Sequence, residues 1–398
     1  MKPYVYGVLG MFLMLLVACD NDDPTPTSPE KGTECTVLAY LIGNSNSNDL
    51  SRLLLTNYQD MLVGMESVDV AKHNLLVYIE TKSDDPHLIH IRKEEGKVIA
   101  DTLYSYSEQN PLSISVMTEV FSTVFNEFPA SRYGLVFGSH AEGWLPATNS
   151  ASRSVGVYQD TQMNIPDFAT VLQRVGRHFD YIFFDACFMQ TVEVAYELRD
   201  YTDYLIGSST EIPGPGAPYK TLTPFLFSSD NAAMKIAEEY FDVYNEIYTG
   251  QTPTNALWTA GVSVSVTDMQ YLYKLAAQTD YILSVYYMDR QVPASLNDIF
   301  YYDKRTTIYY YDFDGFIKQI TDGNEDYDSW KEAYQQVVPY FATTDKNYSA
   351  YIGLFDMKGA TGLSTYIPRD GSSLANANSY YPTMQWYKAA GWDRTGWW

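Results

Sequence analysis

The run Tyr181-Ile182-Phe183-Phe184, broken by Asp185-Ala186-Cys187-Phe188-Met189, constrains this chain more than any other stretch. Its consecutive β-branched and aromatic residues read as a strand buried on both faces, the pattern of a parallel sheet covered by helices. From Gln190 to Arg199 apolar residues recur at helical spacing (Val192, Val194, Ala195, Leu198). A cysteine between a buried strand and a helix stands where an open α/β sheet presents its chemistry, at the carboxyl ends of its strands. A helix N-terminus beside it would favour the thiolate.

A second stretch has the same form. Tyr133-Gly134-Leu135-Val136-Phe137-Gly138 is a buried-strand run that ends in Ser139-His140-Ala141-Glu142-Gly143-Trp144. Two parallel strands of one sheet would deliver His140 and Cys187 to the same edge across a crossover of about 47 residues. A thiol with a nearby base is a sulfur nucleophile. Alone, such a cysteine is more often a packed small hydrophobe, and such a histidine more often structural. It is the shared strand-end placement that singles out the pair.

These residues resemble the clostripain-like cysteine peptidases, a family with a caspase-like fold. The family joins a strand ending in Ser-x-His-Gly, a nearby Gly-Trp, and a strand ending in Asp-Ala-Cys-x-Met. Here they read Ser139-His140-Ala141, Gly143-Trp144 and Asp185-Ala186-Cys187-Phe188-Met189. Ser208 to Tyr219 resembles the family's Ser-x-x-Glu-x-Pro-Gly-x-Gly-x-x-Tyr segment, and Gly362-Leu363-Ser364-Thr365-Tyr366-Ile367-Pro368 its late strand. The resemblance implies an α/β fold: a caspase-like three-layer α/β/α sandwich with a mainly parallel central sheet and a C-terminal α/β extension. It also implies a cysteine endopeptidase with a Cys187–His140 dyad and no cofactor. The oxyanion would be held by the backbone amides of Ala141 and Cys187. Asp185 would select Arg or Lys before the cleaved bond, and Glu211 or Glu142 could compensate as a substrate-binding acid for the second acid missing at Pro215. Two positions depart from the family. Ala141 stands where glycine is usual, and Pro215 where a second acid is usual. The alternative is accordingly an inactive clostripain-like lipoprotein that binds peptides or a protein partner. Tyrosine abundance and the N-terminal tether described below also suit a structural or adhesion lipoprotein.

Residues 1–19 read as an export signal. Lys2 gives the positive start, Tyr4 to Leu15 the apolar core, and Leu16-Val17-Ala18-Cys19 the cleavage box. That box resembles the bacterial lipobox, whose cysteine is lipidated, so Cys19 is the expected membrane anchor in the cell envelope. Residues 20–32 form a polar, Pro-rich tether. Its acidic start resembles a signal that sends some bacterial outer-membrane lipoproteins to the cell surface. Residues 33–225 are the expected catalytic region and 226–398 an α/β region packed on it.

Acidic residues outnumber basic ones 49 to 26, a formal charge of −23, which disfavours nucleic acid and suits cationic peptides. Three cysteines build no disulfide framework. Cys35 opens the first core strand, which leaves Cys187 as the thiol kept for reactivity. No nucleotide fingerprint or metal-ligand spacing appears; Asp322-Gly323-Asn324-Glu325-Asp326 lacks the spacing of a calcium loop, and His87 and His90 read as surface histidines. Further expected elements include helices over Thr267 to Tyr287 and Trp330 to Phe341, a Tyr-rich extended segment from Phe300 to Phe313, and strands at Tyr351 to Phe355 and Gly362 to Pro368. Ala147 to Gln162 reads as a polar exposed loop, and its Arg153 is the expected self-cleavage point, as in some relatives.

Overall fold

The apolar runs form the middle of a sheet buried on both sides. The computed structural model describes residues 32–147, 154–253, 257–288 and 296–397; Cys19 and Arg153 lie outside them. The first strands are β1 (Cys35–Ile42), β2 (His73–Thr81), β3 (Asp84–Glu94), β4 (Lys97–Ser105) and β5 (Arg132–Gly138). Then come the hairpin of β6 (Val155–Tyr158) and β7 (Thr161–Met163), followed by β8 (Phe179–Asp185), β9 (Thr202–Gly207) and β10 (Ser263–Asp268). Shorter strands complete the chain: β11 (Tyr311–Asp312), β12 (Tyr340–Thr343), β13 (Lys346–Ser349), β14 (Gly353–Asp356) and β15 (Ser364–Thr365).

Nine strands of the described residues make one sheet in the order β12-β10-β9-β8-β5-β1-β2-β3-β4. The middle of it, β9-β8-β5-β1-β2, is parallel, and the pairs beyond β9 and β2 are antiparallel. Crossover helices cover a parallel strand above and below, so β1 is buried along its whole length. The β3–β4 hairpin turns at Glu95 and Gly96, whose φ values of 50° and 80° fit a two-residue turn.

Side-chain alternation splits the core into two layers. Val37, Ala39 and Leu41 of β1 point to one, while Leu38, Tyr40 and Ile42 point to the other. The first layer is roofed by α1 (Ser51–Gly64), and the second by α2 (Ile114–Glu127), α3 (Ile165–Val175) and α4 (Val192–Leu198). After β9, α5 (Tyr219–Leu222) and α6 (Ala232–Glu246) return to the first face. The remaining helices extend the second: α7 (Leu272–Tyr286), α8 (Phe313–Ile320), α9 (Glu325–Val337), α10 (Ala375–Tyr380) and α11 (Gln385–Ala389). The architecture is the expected three-layer α/β/α sandwich. Truncating a central aromatic such as Phe183 to alanine would cost about 3–5 kcal/mol.

Several local expectations give way. Asp268 ends β10 rather than opening a helix; its carboxylate caps the next turn through the Gln270 amide, and α7 begins at Leu272. Asn324 caps α9 through the amides of Asp326 and Tyr327, so that helix starts at Glu325 and stops at Val337. Tyr340 and Phe341 instead pair with β10 as an edge strand. The Phe300 to Phe313 segment is mostly irregular, with only Tyr311–Asp312 in a strand, and Gly362 to Pro368 contributes only Ser364–Thr365. The supposed exposed loop contains β6, which is buried throughout.

Candidate active site

Strands β5 and β8 run parallel with Gly138 opposite Asp185. His140 and Cys187 each lie two residues past that register pair, so the two loops leave the same sheet edge side by side. On the far side of β5 is β1, whose other neighbour is β2. The chain reverses its direction of sheet growth there, and a crevice opens at such a reversal. A cleft of about 660 Å³ occupies the edge, lined among others by Asn48, His140, Glu142, Asp185, Cys187 and Glu211.

The imidazole of His140 is held by its Nε2, which lies 2.6 Å from the backbone carbonyl of Asn48 in the loop after β1. A carbonyl only accepts, so Nε2 carries the hydrogen and Nδ1 is the basic nitrogen of the neutral ring. The Cys187 sulfur accepts a hydrogen bond from the Ile212 amide at 3.4 Å. Burial pushes the thiol up to about 12, against that amide bond, and the carboxylates of Glu211, Glu142 and Asp185 add to the rise. The helix N-terminus expected to counter this is absent, because α4 begins only at Val192 and a turn intervenes. That turn is pinned by Gln190, a buried side chain whose amide nitrogen donates to the carbonyls of Leu205 and Ser265. The other described thiol, Cys35, is buried in the first core layer and likewise pushed up to about 12.

Asp185 is 5% exposed. Its Oδ2 accepts from the Ala217 amide at 3.0 Å and the Tyr219 hydroxyl at 2.9 Å. Its Oδ1 is buried with no protein partner. Burial raises the carboxyl from 3.8 to about 6 despite those two donors. Gly216 makes the approach possible: it has φ +75°, and a Cβ there would lie 2.7 Å from Asp185 Oδ2. Pro215 brings no charge, and its carbonyl accepts from Asn57 of α1 at 2.8 Å. The floor beside Cys187 is thus one half-satisfied carboxylate.

Ala141 is buried and is not among the residues with positive φ, so its methyl group is accommodated without backbone strain. The loop's bridge to β6 runs through the Glu142 amide, 3.0 Å from the Ser154 carbonyl. Glu142 Oε2 accepts from Arg305 at 3.0 Å. Glu211 lines the cleft, yet its Oε2 accepts from the Ala350 amide at 2.8 Å and so holds the β13–β14 turn. Trp258, Tyr348 and Tyr351 line the cleft as well.

The structure therefore brings His140, Ala141, Asp185, Cys187 and Glu211 to one cleft. Asn48, Ile212 and Arg305 are partners that sequence reasoning missed. Two of them act through the main chain and carry no side-chain signal, and Arg305 lies far along the chain. Among the described residues no group of three or more His, Cys, Asp or Glu is placed to hold a metal ion. No described helix is long and apolar enough to cross a membrane.

Comparison with known proteins agrees with this geometry. The clostripain family pattern matches residues 40–398. A secreted C11 cysteine protease from Bacteroides thetaiotaomicron, solved with an irreversible peptide inhibitor, is 40% identical. The match covers 91% of this chain and 100% of that one, with a TM-score of 0.82. A B. fragilis cysteine protease is 49% identical over 61% of this chain and 99% of its own (TM-score 0.58). An inactive zymogen C11 protease from Parabacteroides distasonis is 28% identical over 92% and 99% (TM-score 0.76). No curated protein sequence gives a significant match.

Proposed function

This chain belongs to the clostripain family and is a cysteine peptidase of caspase-like fold, and on that premise we propose a lipid-anchored extracytoplasmic endopeptidase that cleaves after basic residues. Cys187 is the nucleophile. Its resting thiol is protonated, so its proton passes to His140 Nδ1 as the sulfur attacks the scissile carbonyl. The imidazolium then gives that proton to the departing amine, and water hydrolyses the thioester. Backbone amides of Ala141 and Cys187 hold the oxyanion; losing one such donor costs about 10²–10³ in rate. The substrate's guanidinium or ammonium pairs with Asp185 Oδ1.

The observation that carries this reading is the in-register delivery of His140 and Cys187 beside a buried carboxylate oxygen that lacks a partner. A single carboxylate suffices to pair a guanidinium, so Pro215 does not abolish the preference. Glu211, tied to the β13–β14 turn, shapes the wall through one oxygen and contributes charge. Secretion of the Bacteroides thetaiotaomicron relative fits export through residues 1–19 and anchoring at Cys19. Residues 33–225 form the catalytic region and 226–398 pack on it. The protein cuts itself after Arg153, between the His140 and Cys187 strands, if Asp185 selects basic residues. A positional-scanning peptide library, read by product sequencing beside a Cys187→Ala control, tests the proposal. Turnover by the control removes the mechanism, and cleavage without preference for Arg or Lys removes the specificity. Mass spectrometry of the incubated protein, with Arg153→Ala alongside, tests the self-cleavage.

A further inference from the structure

Phe188 follows the nucleophile with φ at +59°, a left-handed conformation that a bulky side chain adopts at a cost of about 1–3 kcal/mol. Such a conformation persists only where its surroundings over-determine it. Here they do. The Phe188 amide donates to the Thr210 carbonyl at 3.0 Å. Its ring stacks on Tyr310, with centroids 5.2 Å apart and planes 18° apart, and the Arg305 guanidinium carbon sits 5.2 Å from the ring centroid.

The same two residues reach the other catalytic loop. Arg305 donates to Glu142 Oε2 at 3.0 Å, two residues past His140, and the Tyr310 hydroxyl donates to the Glu142 carbonyl. The two loops touch at Gly143. A Cβ on that residue would lie 2.8 Å from the Phe188 carbonyl oxygen and 3.0 Å from the Tyr310 hydroxyl. Asp303 shapes the segment that carries the grip. Buried completely, it accepts from the amides of Tyr309 and Tyr310 and lies 3.5 Å from Arg305.

We propose that Arg305 and Tyr310 are positioning residues that fix the Cys187 loop against the His140 loop. The inference rests on the assignment of Cys187 and His140 made above. Their bonds run to Glu142 and their ring contacts to Phe188. Their effect is on the relative placement of two groups whose reaction tolerates little displacement: a misplacement of about 1 Å can cost about 10²-fold.

Tyr310→Phe removes only the hydroxyl and keeps the ring on Phe188. Arg305→Gln removes the guanidinium from both Glu142 and Phe188, and Arg305→Lys keeps the charge without the planar face. Each variant is compared with the parent for kcat and KM on one peptide amide and for the rate of inactivation by a peptidyl chloromethyl ketone. The expected result is a kcat lower by about 10- to 100-fold, KM within about threefold, and inactivation slowed in parallel. Arg305→Lys should recover part of the loss. Unchanged kcat overturns the proposal, as does a rise in KM alone, which would place these residues in substrate binding. Full recovery of kcat at low temperature, where a merely destabilised fold is intact, also overturns it. Cys187→Ala runs beside them. Turnover there strikes the catalytic assignment itself, whereas an inert Cys187→Ala with fully active Arg305 and Tyr310 variants strikes only the grip.

Discussion

Replacing Asp185 with asparagine should abolish the preference for basic residues while making the fold firmer. The substitution is isosteric. The new amide oxygen can take the hydrogen bonds that Oδ2 now accepts from Ala217 and Tyr219 at 3.0 and 2.9 Å. The amide nitrogen then stands where the unpartnered Oδ1 stands now. A carboxyl raised from 3.8 to about 6 binds its proton more tightly folded than unfolded. The contribution of this group to stability is therefore greatest below 3.8 and is lost as pH rises to 6, by about 3 kcal/mol from that gap. Asp185→Asn should melt a few degrees above the parent at pH 8 and level with it near pH 4. In the proposed complex the cation of the substrate would offset this desolvated charge. Breaking such a buried pair costs about 3–5 kcal/mol, or about 10²- to 10⁴-fold in kcat/KM. Matched fluorogenic peptides with arginine or its neutral isostere citrulline, assayed from pH 5 to 9, measure it. The variant should lose rate on arginine alone. In the parent, the arginine-to-citrulline ratio should drop as pH falls through 6. A ratio that survives the substitution, or stays flat across pH 6, would refute the reasoning.

Four further outcomes follow from the geometry. Cys187→Ala and His140→Ala should each abolish hydrolysis, and the double variant should be no worse than either, since the pair acts as a unit; additive losses in single-turnover assays would contradict this. Alkylation of the free enzyme at Cys187 by iodoacetamide should climb about tenfold per pH unit from 7 to 10, because burial holds the thiol up to about 12; a plateau near neutral pH counts against it. Gly216→Ala should lower stability by about 1–2 kcal/mol and blunt the selection for basic residues, because its methyl meets Asp185 Oδ2; retained selectivity would mean that the carboxylate is not the selector. Cys19→Ser should release the protein from the lipid-associated fraction, and absence of labelled fatty acid on the parent would exclude the anchor.

The parts legible in the sequence are those where burial is two-sided and local. Cys35 opens the first core strand as expected, because every position to Ile42 is hydrophobic or small. The Tyr133 and Tyr181 runs likewise become β5 and β8, and the Glu95-Gly96 turn forms where a left-handed pair is easiest. The illegible parts depend on distant partners. Tyr340 and Phe341 carry helical spacing continued from α9, yet β10 offers an unpaired edge, and that pairing prevails. Val155–Tyr158 hides among polar residues and gains burial only under the His140 loop. The surroundings of the Cys187 thiol differ from the expectation for a similar reason. The expected helix does form, but two residues late, and the carboxylates that act on the sulfur come from the end of β8 and from two separate loops.

The buried Gln190 has a bearing on when, rather than how, the enzyme comes to exist. Its side chain is satisfied by Leu205, 15 residues downstream, and by Ser265, 75 residues downstream. Its own carbonyl accepts from Ser209, 19 residues downstream, and again from Ser364, 174 residues downstream. At ribosomal rates of about 5–20 residues per second, the last partner trails by roughly 9–35 seconds. Until then the turn that follows the nucleophile is held by Leu205, Ser208 and Ser209 alone, even though the strands on either side could already pair. A nascent or prematurely ended chain would thus carry the reactive cysteine beside a turn that lacks its Ser265 and Ser364 contacts. The full set of contacts around that turn exists only once residue 364 has been made.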